Sequence, residues 1–162
     1  LITTEQLREI LHYDPDTGIF TWAKKTSNKV VVGRHAGAIN LSGYIVIGIG
    51  GKLLYAHRLA FTWMGEETPD TVDHADGDRL NNRWSNLRPA TDQQNVLNAK
   101  LASNSTSGFK GVSWHKKAQK WSAQIYLDGK SRYLGLYTDP KKAHDAYMRA
   151  ANSIQPEFAR AS

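Results

Sequence analysis

The stretch that decides the fold is Thr71 to Asn98, TVDHADGDRLNNRWSNLRPATDQQNVLN. Val72 followed by Asp73 and His74 reads as the end of a strand that delivers two polar side chains. Asp76-Gly77-Asp78 and Asn81-Asn82 then supply turn chemistry, because Asn and Asp side chains bond nearby backbone and Gly accepts positive φ. Leu87-Arg88-Pro89-Ala90 allows a brief return strand. Thr91-Asp92-Gln93-Gln94 is a Thr-x-x-Gln capping box, so the spacing predicts a helix from there. Asn95 lies about one turn into that helix, on a side able to face Asp73 and His74. The predicted unit is strand, loop, strand, helix.

These residue types suit hydrolysis of a phosphodiester, which needs an activated water, neutralised charge at the phosphate and a stabilised leaving oxygen. A histidine with an ordinary pKa of about 6.5 can deprotonate water near neutral pH, and His74 is the candidate general base. Asp73 and the side-chain oxygen of Asn95 are hard ligands suited to Mg²⁺, with Mn²⁺ as the alternative. Asn86 reads as a loop-locking residue whose amide bonds to backbone and orients His74. Arg83 and Arg88 admit two readings, phosphate contact or a solvent-facing or salt-bridged arginine. An EF-hand is rejected: acidic residues at 73, 76 and 78 miss its spacing, and Trp84 stands where the bidentate Glu belongs. A purely structural turn remains the competing reading.

Working outward, the composition is that of a folded chain, with 40% hydrophobic and 22% charged residues over 162 positions. The absence of Cys excludes disulfides, cysteine nucleophiles and zinc–thiolate sites, so no structural zinc is expected. No apolar run approaches the roughly 20 residues of a membrane span. Leu1-Ile2-Thr3-Thr4 does not resemble a signal peptide, and the expected setting is cytoplasmic. The formal charge of +6 is unevenly placed. Residues 1–100 hold 11 Lys/Arg against 11 Asp/Glu, and residues 101–162 hold 10 against 4, so the whole excess lies in the last third. That asymmetry points to a polyanion-binding module joined to a neutral unit, with a solvated basic surface as the alternative.

Before the central stretch, Ile2 to Leu11 reads as a short amphipathic helix with Thr4 as N-cap, and Ser153 to Ser162 at the far end reads as a tail that frays. Tyr13 to Gly18 is a turn feeding the strand Ile19 to Trp22, and Lys24 to Val30 is a polar loop. Short strands separated by glycines run from Gly37 to Ala56, with Gly50-Gly51 suited to a hairpin. A helix follows, with Leu59, Ala60 and Trp63 on its apolar side. His57 and Arg58 at its start admit either phosphate contact or a structural role.

After a Ser/Asn/Thr-rich linker, strand alternation returns. Trp121, Ala123, Ile125 and Leu127 share one face, and Ser122, Gln124 and Tyr126 the other. Gly111 to His115 repeats this with Val112 and Trp114 inward, Ser113 and His115 outward. A third strand lies around Lys130 to Leu134. Asp139-Pro140 then offers an N-cap and a first-turn proline to a helix carrying Ala143, Ala146, Tyr147, Ala150 and Ala151 as a stripe. The fold class is therefore α+β, with domains at 1–100 and 108–162 joined by a linker at 101–107.

The motifs VDHADGDRLNNRWSNLRPATDQQN, with YDPDTGIFTW, GYIVI and AHRLAF before it, resemble the phage and intron-type HNH homing or nicking endonucleases of the ββα-metal fold. The resemblance implies Asp73 as metal ligand, His74 as general base, Asn86 as structural asparagine and Asn95 as second metal ligand, where many members have histidine. The segments GFKGVSWHKKAQKWSAQI, RYLGLY and AHDAYMRAA resemble the plant ethylene-response (Apetala-type) DNA-binding domain. That resemblance implies a three-stranded sheet in the major groove, reading duplex DNA through Lys110, Ser113, His115, Gln124, Tyr126 and Tyr133. Lys116, with Lys117 and Lys120, would contact phosphate. Arg132 lies in the inward register and joins this set weakly. One site per chain implies that a monomer nicks one strand, whereas a double-strand break needs a weak dimer or sequential nicks. The rival expectations are a DNA-binding regulator on an inactive scaffold and an RNA-directed protein.

Overall fold

The computed structural model describes residues 2–161. Leu1, in the stretch unlike a signal peptide, and Ser162, at the end of the expected loose tail, lie outside the described residues. The architecture is α+β, in two compact units, Leu1–Ala90 and Thr91–Ser162. No helix among the described residues is long and apolar enough to cross a membrane.

The first unit begins with α1 (Thr4–Ile10), whose N-cap is Thr3 rather than Thr4. Thr3 completes a capping box with Gln6, while the Thr4 hydroxyl donates to the Thr62 carbonyl at 2.9 Å. The chain then turns straight into β1 (Leu11–Asp14), which pairs antiparallel with β2 (Ile19–Trp22). Asp14 Oδ1 accepts from the backbone N–H groups of Asp16 and Thr17 to close that hairpin. Strands β3 (Ala38–Ile39), β4 (Ile45–Ile49) and β5 (Lys52–Tyr55) form an antiparallel sheet in that order. Gly50 and Gly51 turn β4 into β5, both at positive φ. Helix α2 (Ala56–Met64) follows at once and stops at Gly65 in the left-handed region.

Strands β6 (Thr71–His74) and β7 (Leu87–Ala90) pair antiparallel, with Asp73 opposite Arg88 and His74 opposite Leu87. The core of this unit gathers Leu7, Leu11, Tyr13, Phe20, Ile47, Leu59, Phe61, Val72 and Leu87. Val72 points into that core, so the alternation of the strand fixes which way its polar neighbours emerge.

The second unit starts with α3 (Asp92–Asn98), capped by the box of Thr91 and Gln94 that its sequence announces. Strands β8 (Val112–His115), β9 (Lys120–Leu127) and β10 (Lys130–Tyr137) form an antiparallel sheet with β9 central. Helix α4 (Pro140–Ile154), capped by Asp139, buries Ala143, His144, Ala146, Tyr147 and Ala151. Val112, Ala123, Ala143 and Ala146 are the buried centre of that packing. Gly111 is required there: a Cβ would stand 2.1 Å from the Tyr147 ring.

Three expectations need correction in this unit. Trp114 holds the inward register opposite Trp121 but is 41% exposed, because it lies on an edge strand and leans edge-on against the Trp121 ring. Ser122, expected outward, is buried mid-strand between Ser113 and Leu136, with Gln124 Nε2 reaching back to its hydroxyl at 3.3 Å. The tail does not fray through its described length, since Phe158 is buried and the Arg160 N–H donates to the Leu97 carbonyl. Helix α3 is held within this same unit. Lys110 Nζ donates to the carbonyls of Leu97 and Ala99 at 2.5 and 2.6 Å, and Gln94 Nε2 donates to Gln155 Oε1.

Candidate active site

Asp73 and His74 lie consecutively at the end of β6, 3% and 4% exposed. Burying two such side chains requires partners. The Asp73 carboxylate receives Arg88 Nε and Nη2, both 2.8 Å from Oδ2, directly across the strand pair. Arg88 is therefore the salt-bridged arginine of the two sequence alternatives. His74 Nε2 lies 3.0 Å from Oδ1 of Asn82, itself 1% exposed.

The loop between the strands is locked by its own side chains. Asn86 Nδ2 donates to Asp76 Oδ1 and to the Asn81 carbonyl, while Asn86 Oδ1 accepts the Asp76 N–H. The Ala75 N–H donates to the Asn86 carbonyl at 2.9 Å, so the chain leaving His74 is pinned to the chain entering β7. Burial acts to raise the Asp76 carboxyl, but the Asp78 N–H and the amides of Asn81 and Asn86 outweigh it and hold it below the usual carboxylate value.

The loop is also braced by the first hairpin. Tyr13, fully buried, donates its hydroxyl to the Asn82 carbonyl at 2.6 Å, and the Trp84 N–H donates to the Pro15 carbonyl. Burial pushes the Tyr13 hydroxyl well above the ordinary tyrosine value, so it remains a donor. Gly18, at φ +74°, lies so close that a Cβ would stand 2.3 Å from the Asn82 carbonyl carbon.

On another side the His74 ring meets His57 edge-to-face at 5.2 Å between centroids, with Tyr44 at 6.1 Å. Tyr55 stacks on His57, and the Arg79 guanidinium covers Tyr44 while donating to the Ser42 carbonyl. Burial, helped by His74 and Arg58, lowers the His57 pKa to about 4, so this ring is neutral near pH 7. Arg58 Nη1 donates to the carbonyls of Pro69 and Asp70, fixing the entry to β6. Arg83 is exposed. Asn95 is half-buried on α3 and belongs to the second unit.

In the second unit, Ser113, Gln124, Tyr126 and Tyr133 are exposed and share the outward face, as the pairs Gln124 with Tyr133 and Tyr126 with Ser131 require. His115, opposite Lys120, and Lys116 are exposed at the β8–β9 turn. Arg132 pairs with the buried Ile125, hence with the inward face, and bridges to Asp128 at 3.3 Å. Lys110 is turned away to the α3 carbonyls, and burial lowers its pKa to about 8, Arg160 adding to the effect.

Sequence reasoning missed Asn82, Tyr13 and Tyr44 as neighbours or supports of His74. A signal for Asn82 existed: of the adjacent Asn81 and Asn82, only one needs to serve the turn, which leaves the other for the site.

The arrangement suits hydrolysis: a buried imidazole with a fixed partner follows a buried carboxylate in sequence, at a loop braced from two sides. A family model described as HNH endonuclease matches residues 54–97, the span from the end of β5 into α3. The chain is 41% identical over 59 residues to Protein 3.8 of Escherichia phage T7, covering 36% of this chain and 49% of that protein. It is 31% identical over 132 residues to an uncharacterized HNH endonuclease of Acanthamoeba polyphaga mimivirus, covering 80% of this chain and 67% of that protein. The chain thus spans about half the length of the first relative and two thirds of the second. No solved structure matches it. The chain belongs to the HNH endonuclease family.

Proposed function

We propose that this chain is a DNA endonuclease of the homing or nicking type. It hydrolyses phosphodiesters with His74 as general base and with Asp73 and Asn95 holding a divalent ion, Mg²⁺ before Mn²⁺. The observation that carries the proposal is His74, tied to Asn82 and following the buried carboxylate of Asp73, inside the stretch matched by the HNH model. A carboxylate and a carboxamide oxygen are hard donors, which fits a hard cation better than zinc. Among the described residues no group of three or more His, Cys, Asp or Glu is placed to hold a metal. A two-ligand site therefore relies on water and phosphate oxygens for the rest. When bound, such an ion neutralises phosphate charge and stabilises the leaving oxygen.

The chain's own groups have separate tasks. His74 takes the proton of the attacking water, and Arg88 holds Asp73 in place through two 2.8 Å contacts. Arg58 is occupied with backbone carbonyls and His57 is buried and neutral, so both support the site, and exposed Arg83 remains the candidate for phosphate.

The partner proposed for the second unit is duplex DNA, with Ser113, Gln124, Tyr126 and Tyr133 as the reading face of an Apetala-type sheet. Exposed Lys116, Lys117 and Lys120 add sequence-tolerant phosphate contacts. The alignment with the mimivirus protein is longer than the first unit, which supports treating both units as one enzyme. Acting as a monomer or weak dimer in the cytoplasm of a host cell, it would nick one strand per site.

Supercoiled plasmid incubated with Mg²⁺ or Mn²⁺ should be converted to the open circular form. His74→Ala should cut about 10²- to 10⁴-fold more slowly, the usual contribution of a general base, while still shifting duplex DNA in a gel. Cleavage by that variant at the wild-type rate would overturn the assignment.

A further inference from the structure

The outward face of the second unit's sheet holds one amide whose hydrogen bonds are only half used within the chain. Along the central strand β9 that face carries Ser122, Gln124 and Tyr126, and along β10 Ser131 and Tyr133, with Gln124 paired to Tyr133 and Tyr126 to Ser131. Gln124 is exposed, yet its amide is held from two sides. Ser131 Oγ donates to Gln124 Oε1 at 2.9 Å, and Gln124 Nε2 donates to the hydroxyl of the buried Ser122 at 3.3 Å. Two serines on different strands thus fix the plane of the amide. A carboxamide has two N–H donors and an oxygen with two lone pairs, and the serines take one of each. One N–H and one lone pair remain for a ligand.

Residues 101–162 carry the whole +6 excess, and Lys116, Lys117 and Lys120 stand exposed at the β8–β9 turn of the same sheet. A duplex held against this face by its phosphates presents base edges in the major groove, and the four bases differ there. Adenine alone offers a donor, N6–H, beside an acceptor, N7. Guanine offers two acceptors, so Gln124 Oε1 would meet O6 with no proton between them. Cytosine offers only a donor, and thymine only an acceptor beside its methyl group.

We propose that Gln124 is a specificity-determining residue that reads adenine, Oε1 accepting from N6–H and Nε2 donating to N7, with Ser122 and Ser131 as positioning residues. This choice of base rests on the duplex-DNA reading given above, which by itself favours no base. Fixing the amide before contact removes rotamer freedom that a free glutamine would lose on binding, so the two serines sharpen the discrimination without touching the base.

The full chain, kept free of divalent ions so that bound duplexes stay uncut, can enrich sites from a library of random duplexes. Wild type should enrich sites with adenine fixed at one position of one strand. Gln124→Ala should lose the preference at that position and keep the others; because the side chain is exposed, its removal leaves the sheet folded. On an enriched site, guanine in place of that adenine should weaken wild-type binding about 5- to 150-fold, the range of one bidentate base contact, and should leave Gln124→Ala nearly unaffected. 7-Deazaadenine, which lacks only the N7 acceptor, should weaken wild type by part of that factor. Ser131→Ala should reduce the ratio of adenine to guanine affinity while the salt dependence stays at the wild-type slope, a split that a merely structural serine would not produce. Identical base preferences in wild type and Gln124→Ala, or wild-type binding indifferent to 7-deazaadenine at every fixed adenine, would overturn the adenine assignment and leave the duplex reading standing. A wild type that binds no duplex would overturn both.

Discussion

His57 shows how a single residue records its surroundings. Its pKa is lowered from 6.5 to about 4, first by burial and then by His74 and Arg58. The unfolded chain, with an ordinary histidine value, binds a proton between those limits that the folded chain refuses, so stability rises with pH in that window. The contribution is complete above 6.5 and is lost as pH falls toward and through 4. Replacing His57 with Phe, which restores the ring without the titration, should flatten the acid side of a stability curve from urea melts across those pH values. A curve as steep as wild type would mean that the ring is not held neutral.

Residues of this kind were only partly legible in the sequence. Asp73, His74 and Asn86 stand out because polar residues at a strand end and in a turn need a reason. Tyr13 does not, because an aromatic beside apolar residues looks like core, and only its 2.6 Å bond to Asn82 gives it a second task. Arg88 keeps two readings in the sequence because the sequence does not fix the strand register that sets it opposite Asp73.

Among elements, the hairpin of β1 and β2 has a role beyond packing. Its turn holds Gly18 at φ +74° against the backbone of Asn82 and Arg83. Gly18→Ala should cost about 2 kcal/mol or more from backbone strain alone, with the steric push on the loop added. It should also slow nicking, because the Asn82 carbonyl must move. Urea denaturation with parallel plasmid assays would check this, and an active, fully stable variant would show that the hairpin does not brace the site.

The succession of β6, loop, β7 and α3 was readable because each boundary carries its own chemistry, ending in the Thr91 capping box. Strand β1 was not, since Leu11 continues the apolar spacing of α1 and four residues are too few to show an alternation of their own. The outer face of β9 misled at Ser122 because register says which way a side chain points, not what covers it.

For the molecule as a whole, the sign and placement of charge govern association. Residues 101–162 carry all of the +6 excess. Plotted against salt on logarithmic axes, the DNA association constant should fall linearly, and replacing Lys116, Lys117 and Lys120 together by Ala should reduce the slope by about 3, roughly one per phosphate contact. Fluorescence anisotropy on a short duplex reads this directly, and an unchanged slope would place the DNA elsewhere.

The ammonium of Lys110, seated on the last carbonyls of α3, has a consequence for how such genes can recombine. A crossover anywhere between codons 98 and 110 would part that helix from the lysine that closes its end. One falling just ahead of codon 91 would transplant helix and sheet together, so Asn95 is inherited with the sheet and not with Asp73.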